Sequence, residues 1–262
     1  MARYVIFPFS LIVILTVGLL THAAAATPPS PAKPVQVLVL TGYEYPGHKW
    51  QETAPLLAEF LAADARLATS LNKDPNFLAS PKLLDYDVMV LNYMNWHSPD
   101  PGPEARANLK KFVESGKGLV LVHFACGAFQ GWPEFVNIAG RVYNPKLRGH
   151  DPYGKFTVEI ADPAHPITKG MQPFETTDEL YTCLAGSPEI HVVATATSKL
   201  DKKDYPMAFV HQCGKGRVFH CVLGHDAKAL RVAAVQELYR RGTAWAAGLE
   251  PVASAGEAQR PK

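Results

Sequence analysis

The sequence has no internal repeat, few cysteines and no basic run, and the last two absences exclude classes of protein. Its 26 basic and 24 acidic residues leave a net charge of +2. Neither nucleic acid nor an anionic membrane surface is therefore a predicted partner. The four cysteines fit neither a zinc knuckle nor a dense disulfide scaffold. Cys213 and Cys221 flank a predicted hairpin out of register, so we do not expect them to pair.

One long apolar run lies near the start of the chain. It covers residues 5–20, follows Arg3, and leads into an alanine-rich stretch. This three-part pattern is typical of a secretory signal peptide, predicted here as residues 1–26, and it predicts export to the periplasm or the medium. An uncleaved anchor is the alternative, because the run approaches the roughly 20 residues that span a bilayer. No stop-transfer charges follow, so we expect no stable span after cleavage.

Residues 35–250 are predicted to form one α/β domain, after a proline-rich linker at 27–34 and before a disordered tail at 251–262. Short apolar runs predict buried strands. The predicted elements of the first half are strands at 35–40, 87–92 and 119–123 and helices at 50–63 and 103–116. Those of the second half are strands at 156–160, 190–194, 207–212 and 217–222 and a helix at 227–247. This alternation predicts a mostly parallel sheet with helices on both faces, plus a β-hairpin turning at 213–216.

Polar and aromatic residues follow the predicted strands. The segments are 42–48, 92–97, 123–127 and 224–226, and they include the Gly-His pairs 47–48 and 224–225. Ligands of open α/β sheets bind outside the carboxyl ends of the strands. We therefore expect these segments to form a site at one rim.

His123, His225 and Glu179 are the predicted catalytic residues. His123 ends a buried strand, where an imidazole costs stability unless it is used or hydrogen-bonded. Adjacent residues of an extended chain face opposite sides, so only one of Asp178 and Glu179 can face the site. We favour Glu179, with Asp178 anchoring a loop. Asp151 is an alternative carboxylate partner for the histidines.

The predicted substrate-binding residues include two aromatic side chains suited to sugar faces, although core packing explains aromatics as often. They are His48, Tyr45, Trp96, His150 and Asp226, with Trp132 as a further aromatic candidate. A divalent metal, zinc or similar, is a further expectation, with His48, His123 and His225 as ligands. No H-x-x-x-H or H-x-H pair supports it. His165 is expected to shape a turn, and His191, His211 and His220 to be structural.

The chain resembles the trehalose-utilisation, or ThuA-like, family in a series of short motifs. They are VHFACGAF at 122–129, WPEF at 132–135, AG at 139–140, RGHD at 148–151, HPIT at 165–168, DELY at 178–181, GKGRV at 214–218 and GHD at 224–226. The resemblance implies a flavodoxin-like fold related to class I glutamine amidotransferases, and a role in disaccharide catabolism through 3-keto-sugars. The place of His150 at the site depends on this resemblance, because Gly149-His150-Asp151 precedes a strand.

The fold relationship raises the question of a cysteine nucleophile. Amidotransferases of this class carry a cysteine on a tight elbow after the third strand, where this chain has His123, with Cys126 three residues later. Cys126 is not in a Gly-x-Cys-x-Gly setting. A small buried thiol is the better interpretation, and a functional glutamine amidotransferase is not predicted.

The resulting prediction is an exported enzyme, a sugar-directed lyase or hydrolase. It would act on a 3-keto-glycoside or related small-molecule sugar by His/carboxylate acid–base chemistry, with or without a metal. The alternatives are a non-catalytic carbohydrate-binding or assembly module and, less favoured, a Cys126 hydrolase. Fold alone does not choose among them. The oligomeric state is left open, and an oligomer is compatible with the sequence.

Overall fold

The computed structural model describes Met1 and residues 33–252. The predicted signal peptide, most of the linker and residues 253–262 lie outside the described residues. Within the described part, no helix has the length and apolar character needed to cross a bilayer. The sheet and its helices belong to the unit that begins at Lys33.

Nine strands form one sheet. They are β1 (Val35–Leu40), β2 (Leu67–Asn72), β3 (Val88–Leu91), β4 (Gly118–Val122), β5 (Gly154–Ile160), β6 (Phe174–Asp178), β7 (His191–Thr197), β8 (Asp204–Cys213) and β9 (Gly216–Cys221). The helices are α1 (Trp50–Ala62), α2 (Pro103–Glu114), α3 (Phe135–Ala139), α4 (Ala227–Leu230) and α5 (Ala233–Ala246), with 3₁₀ turns at Pro75–Ala79, Pro81–Asp85 and His123–Gly127.

The strand order is β2-β1-β3-β4-β9-β8-β7-β5-β6. The pairings from β2 to β9 are parallel, and those from β9 to β6 are antiparallel. The predicted α/β fold is confirmed, and the predicted hairpin is β8–β9. The antiparallel part is larger than that hairpin, however. It includes β6, which the sequence analysis did not predict because its sequence, FETTD, is polar.

Helices cover both faces of the parallel half, as predicted. On β1, Val37 and Val39 pack in the core that contains buried residues of α1 and α5, whereas Leu38 and Leu40 pack in the core that contains α2. This division follows from the period of two in a strand, which sends neighbouring side chains to opposite faces. Both faces of the strand are buried, which explains its continuous apolar sequence.

The helix predicted over 227–247 is in fact two helices. Asp226 caps α4 through a hydrogen bond from the Ala229 amide to its carboxylate, and α4 ends after one turn. Val232 is extended (φ −65°, ψ 120°), and its carbonyl oxygen accepts from the Val235 amide at 2.9 Å, which begins α5. The apolar period continues across this break, so the periodicity did not reveal it.

Candidate functional site

His123 occupies the turn at the end of β4. Its φ is +45°, an uncommon conformation for a residue with a side chain. The ring is fully buried, and Nδ1 lies 2.7 Å from the Val222 carbonyl oxygen. A carbonyl oxygen only accepts, so Nδ1 carries the hydrogen and Nε2 presents its lone pair. That lone pair faces Glu179, whose Oε2 is 3.4 Å away.

Asp178 and Glu179 have separate tasks, as the sequence predicts. The buried Asp178 carboxylate accepts hydrogen bonds from the backbone amides of Gly224 (2.6 Å), His225 (3.1 Å) and Glu179 (2.8 Å). It therefore holds the loop after β9 against the end of β6. Burial raises the pKa of Asp178 to about 7, and the three amide donors oppose that rise. The Glu179 side chain points instead into a group of histidines.

Four imidazoles surround the Glu179 carboxylate. Oε2 lies 3.2 Å from Nδ1 of His225 and 3.9 Å from Nε2 of His48, in addition to its contact with His123. Oε1 lies 3.7 Å from Nε2 of His150. We call these five residues the histidine–glutamate cluster. It contains all three histidines that follow a glycine in the sequence, together with His123.

Burial and charge act in opposite directions on the cluster. Burial raises the pKa of Glu179, but the surrounding imidazoles, when they carry protons toward its carboxylate, outweigh burial and hold that pKa well below its usual range. Burial lowers the pKa of His123 to about 4 and lowers that of His48. Burial also lowers the pKa of His225, but the nearby Glu179 carboxylate outweighs it, so the net shift is upward. The site thus holds a carboxylate, two imidazoles (His48 and His123) whose protonation is disfavoured, and His225, which gains a proton more readily.

Several buried polar atoms of the cluster have no hydrogen-bond partner within the described residues. They are both ring nitrogens of His48, His123 Nε2, Glu179 Oε2 and His225 Nδ1. Buried polar atoms without partners are costly, so such a set points to a ligand, a water or an ion.

A divalent metal fits this set of donors. One ligand atom each from His48, His123, Glu179 and His225 lies within 4.8 Å of all the others. Four donors about 2.0–2.1 Å from a tetrahedral zinc lie about 3.3 Å apart. Oε2 of Glu179 lies 3.2 Å from the His225 nitrogen, 3.4 Å from that of His123 and 3.9 Å from that of His48. His123 also donates its other ring N–H to a carbonyl, the usual arrangement for a metal-binding histidine.

The sequence model of the family described as ThuA, trehalose utilisation, matches residues 36–246. The chain belongs to the ThuA family. A ThuA-like protein from Parabacteroides merdae is 25% identical with a TM-score of 0.74, over 84% of this chain and 93% of that one. A second, from Bacteroides uniformis, is 18% identical with a TM-score of 0.67, over 87% and 99%. No curated protein matches the sequence.

The fold also occurs within a larger enzyme. A β-galactosidase from Rahnella sp. R3 is 13% identical with a TM-score of 0.57, and the match covers 83% of this chain but 32% of that one. At this identity the likeness concerns the fold alone.

Aromatic rings line the cluster of this ThuA domain. Tyr45 stacks on His48 with ring centroids 5.4 Å apart, and Trp96 lies 6.1 Å from Tyr45. Both rings were predicted to bind substrate. Tyr181 was not singled out, yet it lies edge-on to His123 at 4.7 Å. Its place in the quoted motif, two residues after Glu179, is the signal that could have identified it.

Three other predicted residues lie outside the cluster. Asp226 uses one carboxylate oxygen to cap α4 and accepts from the Tyr153 hydroxyl (2.9 Å) with the other. Its role in substrate binding stays a prediction. Asp151 accepts from Ser198 Oγ at 2.9 Å and from the Lys199 amide. Trp132 packs in the core beside Phe129.

Cys126 lies close to the cluster but in an unreactive environment. The thiol is fully buried, and burial raises its pKa to about 12. A nucleophilic cysteine needs a stabilised thiolate. The structure therefore argues against the Cys126 hydrolase. All four cysteines are free, including the pair at 213 and 221.

The remaining histidines named in the sequence analysis make contacts outside the cluster. Ring nitrogens of His211 and His220 bind the carbonyl oxygens of Ile138 (2.8 Å) and Ala139 (3.0 Å), and thereby fix the end of α3 against β8 and β9. His165 Nδ1 accepts from the Ile167 amide in a turn. His191 pairs with Asp162 at 2.8 Å. His165, His211 and His220 thus make the structural contacts predicted for them, whereas the structural role of the exposed His191 stays a prediction.

Proposed function

We propose that this ThuA-family chain is an exported enzyme of carbohydrate catabolism that acts on a 3-keto-glycoside or a related oxidised sugar. The observation that carries the proposal is the histidine–glutamate cluster, in which His123 has a fixed tautomer and a free lone pair. Export is supported by the signal-like pattern at residues 1–26.

The proposed reaction begins with proton removal beside the ketone. A 3-keto group acidifies the C2–H bond, and His123 Nε2 takes that proton. The electron pair forms the C1–C2 double bond as the C1–O bond breaks. His225, whose pKa is raised, donates a proton to the departing oxygen. Addition of water across the new double bond then gives the hydrolysed keto-sugar.

Glu179 supports both proton transfers by electrostatics. Its carboxylate contacts the two imidazoles at 3.4 and 3.2 Å. A carboxylate beside an imidazole stabilises the protonated ring and raises its basicity. The His123 imidazolium formed in the first step is thereby favoured in a buried site where it would otherwise be costly.

The proposal has a second form, in which the cluster holds a divalent metal. His48, His123, His225 and Glu179 would hold it, and it would polarise the ketone. His123 and His225 would then be ligands instead of the base and the acid of the metal-free reaction. His150 lies outside this donor set, and its Nδ1 is 2.8 Å from the Asp151 carbonyl oxygen. It would then be the imidazole that remains for proton transfer.

Turnover of a 3-keto-glycoside by the purified protein tests this proposal. We expect His123→Ala and His225→Ala each to lower kcat/KM by about 100-fold or more, since general acid–base residues contribute roughly 10²–10⁴-fold. His191→Ala, which removes an exposed histidine of β7, is the matched control, and thermal melts check that each variant folds. Full turnover by both cluster variants would refute the assignment. Binding of the sugar without product over long incubation would favour the non-catalytic carbohydrate-binding module.

A further inference from the structure

A cleft that contains none of the residues of the histidine–glutamate cluster is not used by the proposed chemistry. It has a volume of about 440 Å³, and its lining includes Asn95, Trp96, Asp100, Arg106 and Gln130. These residues come from the segments that follow β3 and β4 and from the start of α2. The cleft therefore lies at the same end of the sheet as the cluster.

Trp96 is shared between the cleft and the aromatic lining of the cluster. Its indole lies 6.1 Å from Tyr45, which in turn stacks on His48 at 5.4 Å. Tyr143 is also close to Trp96, with ring centroids 4.9 Å apart. The rings of Trp96 and Tyr45 therefore lie between the cleft and His48 of the cluster.

The Trp96 ring is held in position. Its Nε1 donates to the Gly127 carbonyl oxygen at 2.7 Å, and the side chain is only partly buried. A β-carbon added at Gly127 would lie 3.0 Å from that nitrogen, so the residue type at 127 allows this close approach. A fixed indole with one accessible side is suited to packing against an apolar sugar face.

The two charged side chains of the cleft, Asp100 and Arg106, form an ion pair with no net charge. Asp100 accepts from Arg106 Nε at 2.8 Å and also from Arg106 Nη2 and the Gly102 amide. The Asp100 side chain is 10% exposed and that of Arg106 is 32% exposed. Two of the three guanidinium nitrogens are used within the pair, which leaves the Nη1 hydrogens for a ligand.

The pairing of Asp100 with Arg106 favours an uncharged ligand over a charged one. The lining contains one carboxylate and one guanidinium, and each neutralises the other. A phosphorylated sugar would bring at least one charge that has no unpaired cation to meet it. A neutral polyol would find an aromatic face, a fixed donor, Nδ2 of Asn95 and Oε1 of Gln130. The other amide atoms of these two side chains bind the backbone, because Asn95 Oδ1 accepts from the Phe129 amide and Gln130 Nε2 donates to carbonyl oxygens.

We infer that the cleft is a second sugar subsite, which holds the neutral sugar unit beyond the glycosidic bond while the reacting sugar lies at the cluster. The assignment of the two units rests on the proposed function. Binding of a neutral disaccharide across the cleft and the cluster does not, because it needs no turnover.

Binding of unreactive, unoxidised sugars tests the subsite. The probes are trehalose, maltose, cellobiose and lactose, with glucose and trehalose 6-phosphate for comparison, measured by calorimetry on the full chain. We expect at least one neutral disaccharide to bind more tightly than glucose and more tightly than trehalose 6-phosphate. Arg106→Met should weaken that binding by about tenfold, since a hydrogen bond from a charged group is worth roughly 1.5–3 kcal/mol.

Arg66→Met is the matched control, because Arg66 also binds an aspartate, Asp64, through Nε and Nη2, but does not line the cleft. It should leave disaccharide binding unchanged. The inference is overturned if no disaccharide binds better than glucose, if the phosphorylated sugar binds best, or if Arg106→Met binds like the wild type. None of these results depends on turnover, so failure of the proposed reaction would be seen separately.

Discussion

Nε2 of His123 lies 3.4 Å from Oε2 of Glu179, and neither of these buried atoms has a hydrogen-bond partner within the described residues. Nδ1 of the same ring donates to Val222, so the lone pair on Nε2 faces the carboxylate. Two electron-rich atoms in this position repel unless a proton or a cation lies between them. Burial lowers the pKa of His123 to about 4, so a proton on the ring is disfavoured at neutral pH.

A bound divalent metal is therefore the first expectation. Elemental analysis of freshly purified protein should give about one zinc or similar ion per chain. Because a ligand that binds only the folded state stabilises it, removal by a chelator should lower the melting temperature. His225→Asn should reduce the metal content, whereas His191→Asn, far from the donors, should not. A metal-free preparation whose melting temperature is unaffected by both chelator and added zinc would contradict this expectation.

Asp178→Asn should lower activity by displacing the loop that carries His225, although Asp178 is not proposed to contact the substrate. The aspartate accepts three backbone amides, and an asparagine would turn a donor toward at least one of them. We expect a loss of about 1–3 kcal/mol in unfolding free energy, together with a fall in turnover as the His225 loop shifts. Chemical denaturation and kcat measure the two effects.

The comparison for this variant is Asp162→Asn. Asp162 also accepts backbone amides, from Ala164 and His165, but it lies away from the cluster. It should cost stability with little change in kcat. Equal effects of the two variants on kcat would show that Asp178 has no special role in positioning His225.

The sequence was sufficient to predict the histidines that follow parallel strands. The parallel strands β1, β4 and β9 are apolar enough to be recognised, and their carboxyl ends share one edge of the sheet, so His48, His123 and His225 could be placed together. Glu179 was chosen over Asp178 from the alternation of an extended chain. That choice agrees with the geometry, although β6 itself was not predicted.

His150 could not be placed by the same reasoning, because it precedes a strand. In the structure, β5 is antiparallel to β7, which is antiparallel to β8, and β8 is antiparallel to β9. The start of β5 therefore lies at the same edge as the end of β9. Strand direction depends on pairing between distant segments, which periodicity in a single sequence does not encode.

Cys126→Ala should leave turnover of a 3-keto-glycoside essentially unchanged. The thiol is fully buried with its pKa raised to about 12, so it supplies no thiolate near neutral pH. Iodoacetamide should instead modify the partly exposed Cys183, and a Cys183→Ser variant serves as the control for that reaction. Loss of activity that tracks alkylation of Cys126 would restore the hydrolase alternative.

His220 should make folding stability depend on pH. It is fully buried, and burial lowers its pKa from 6.5 to about 4. Between these values the unfolded chain binds a proton at this residue and the folded chain does not. Stability due to this group is therefore complete above about pH 6.5 and is lost as the pH falls toward about 4.

His220→Asn tests this dependence, because asparagine can still donate to the Ala139 carbonyl oxygen that Nδ1 binds at 3.0 Å but does not titrate. Denaturant unfolding at a series of pH values should show that the variant loses less stability than the wild type on acidification. The difference should approach roughly 3 kcal/mol, from about 1.4 kcal/mol per pKa unit. Gln212→Asn, on β8, changes no titrating group and should retain the wild-type dependence. Parallel profiles for wild type and His220→Asn would show that the ring is not held neutral by burial.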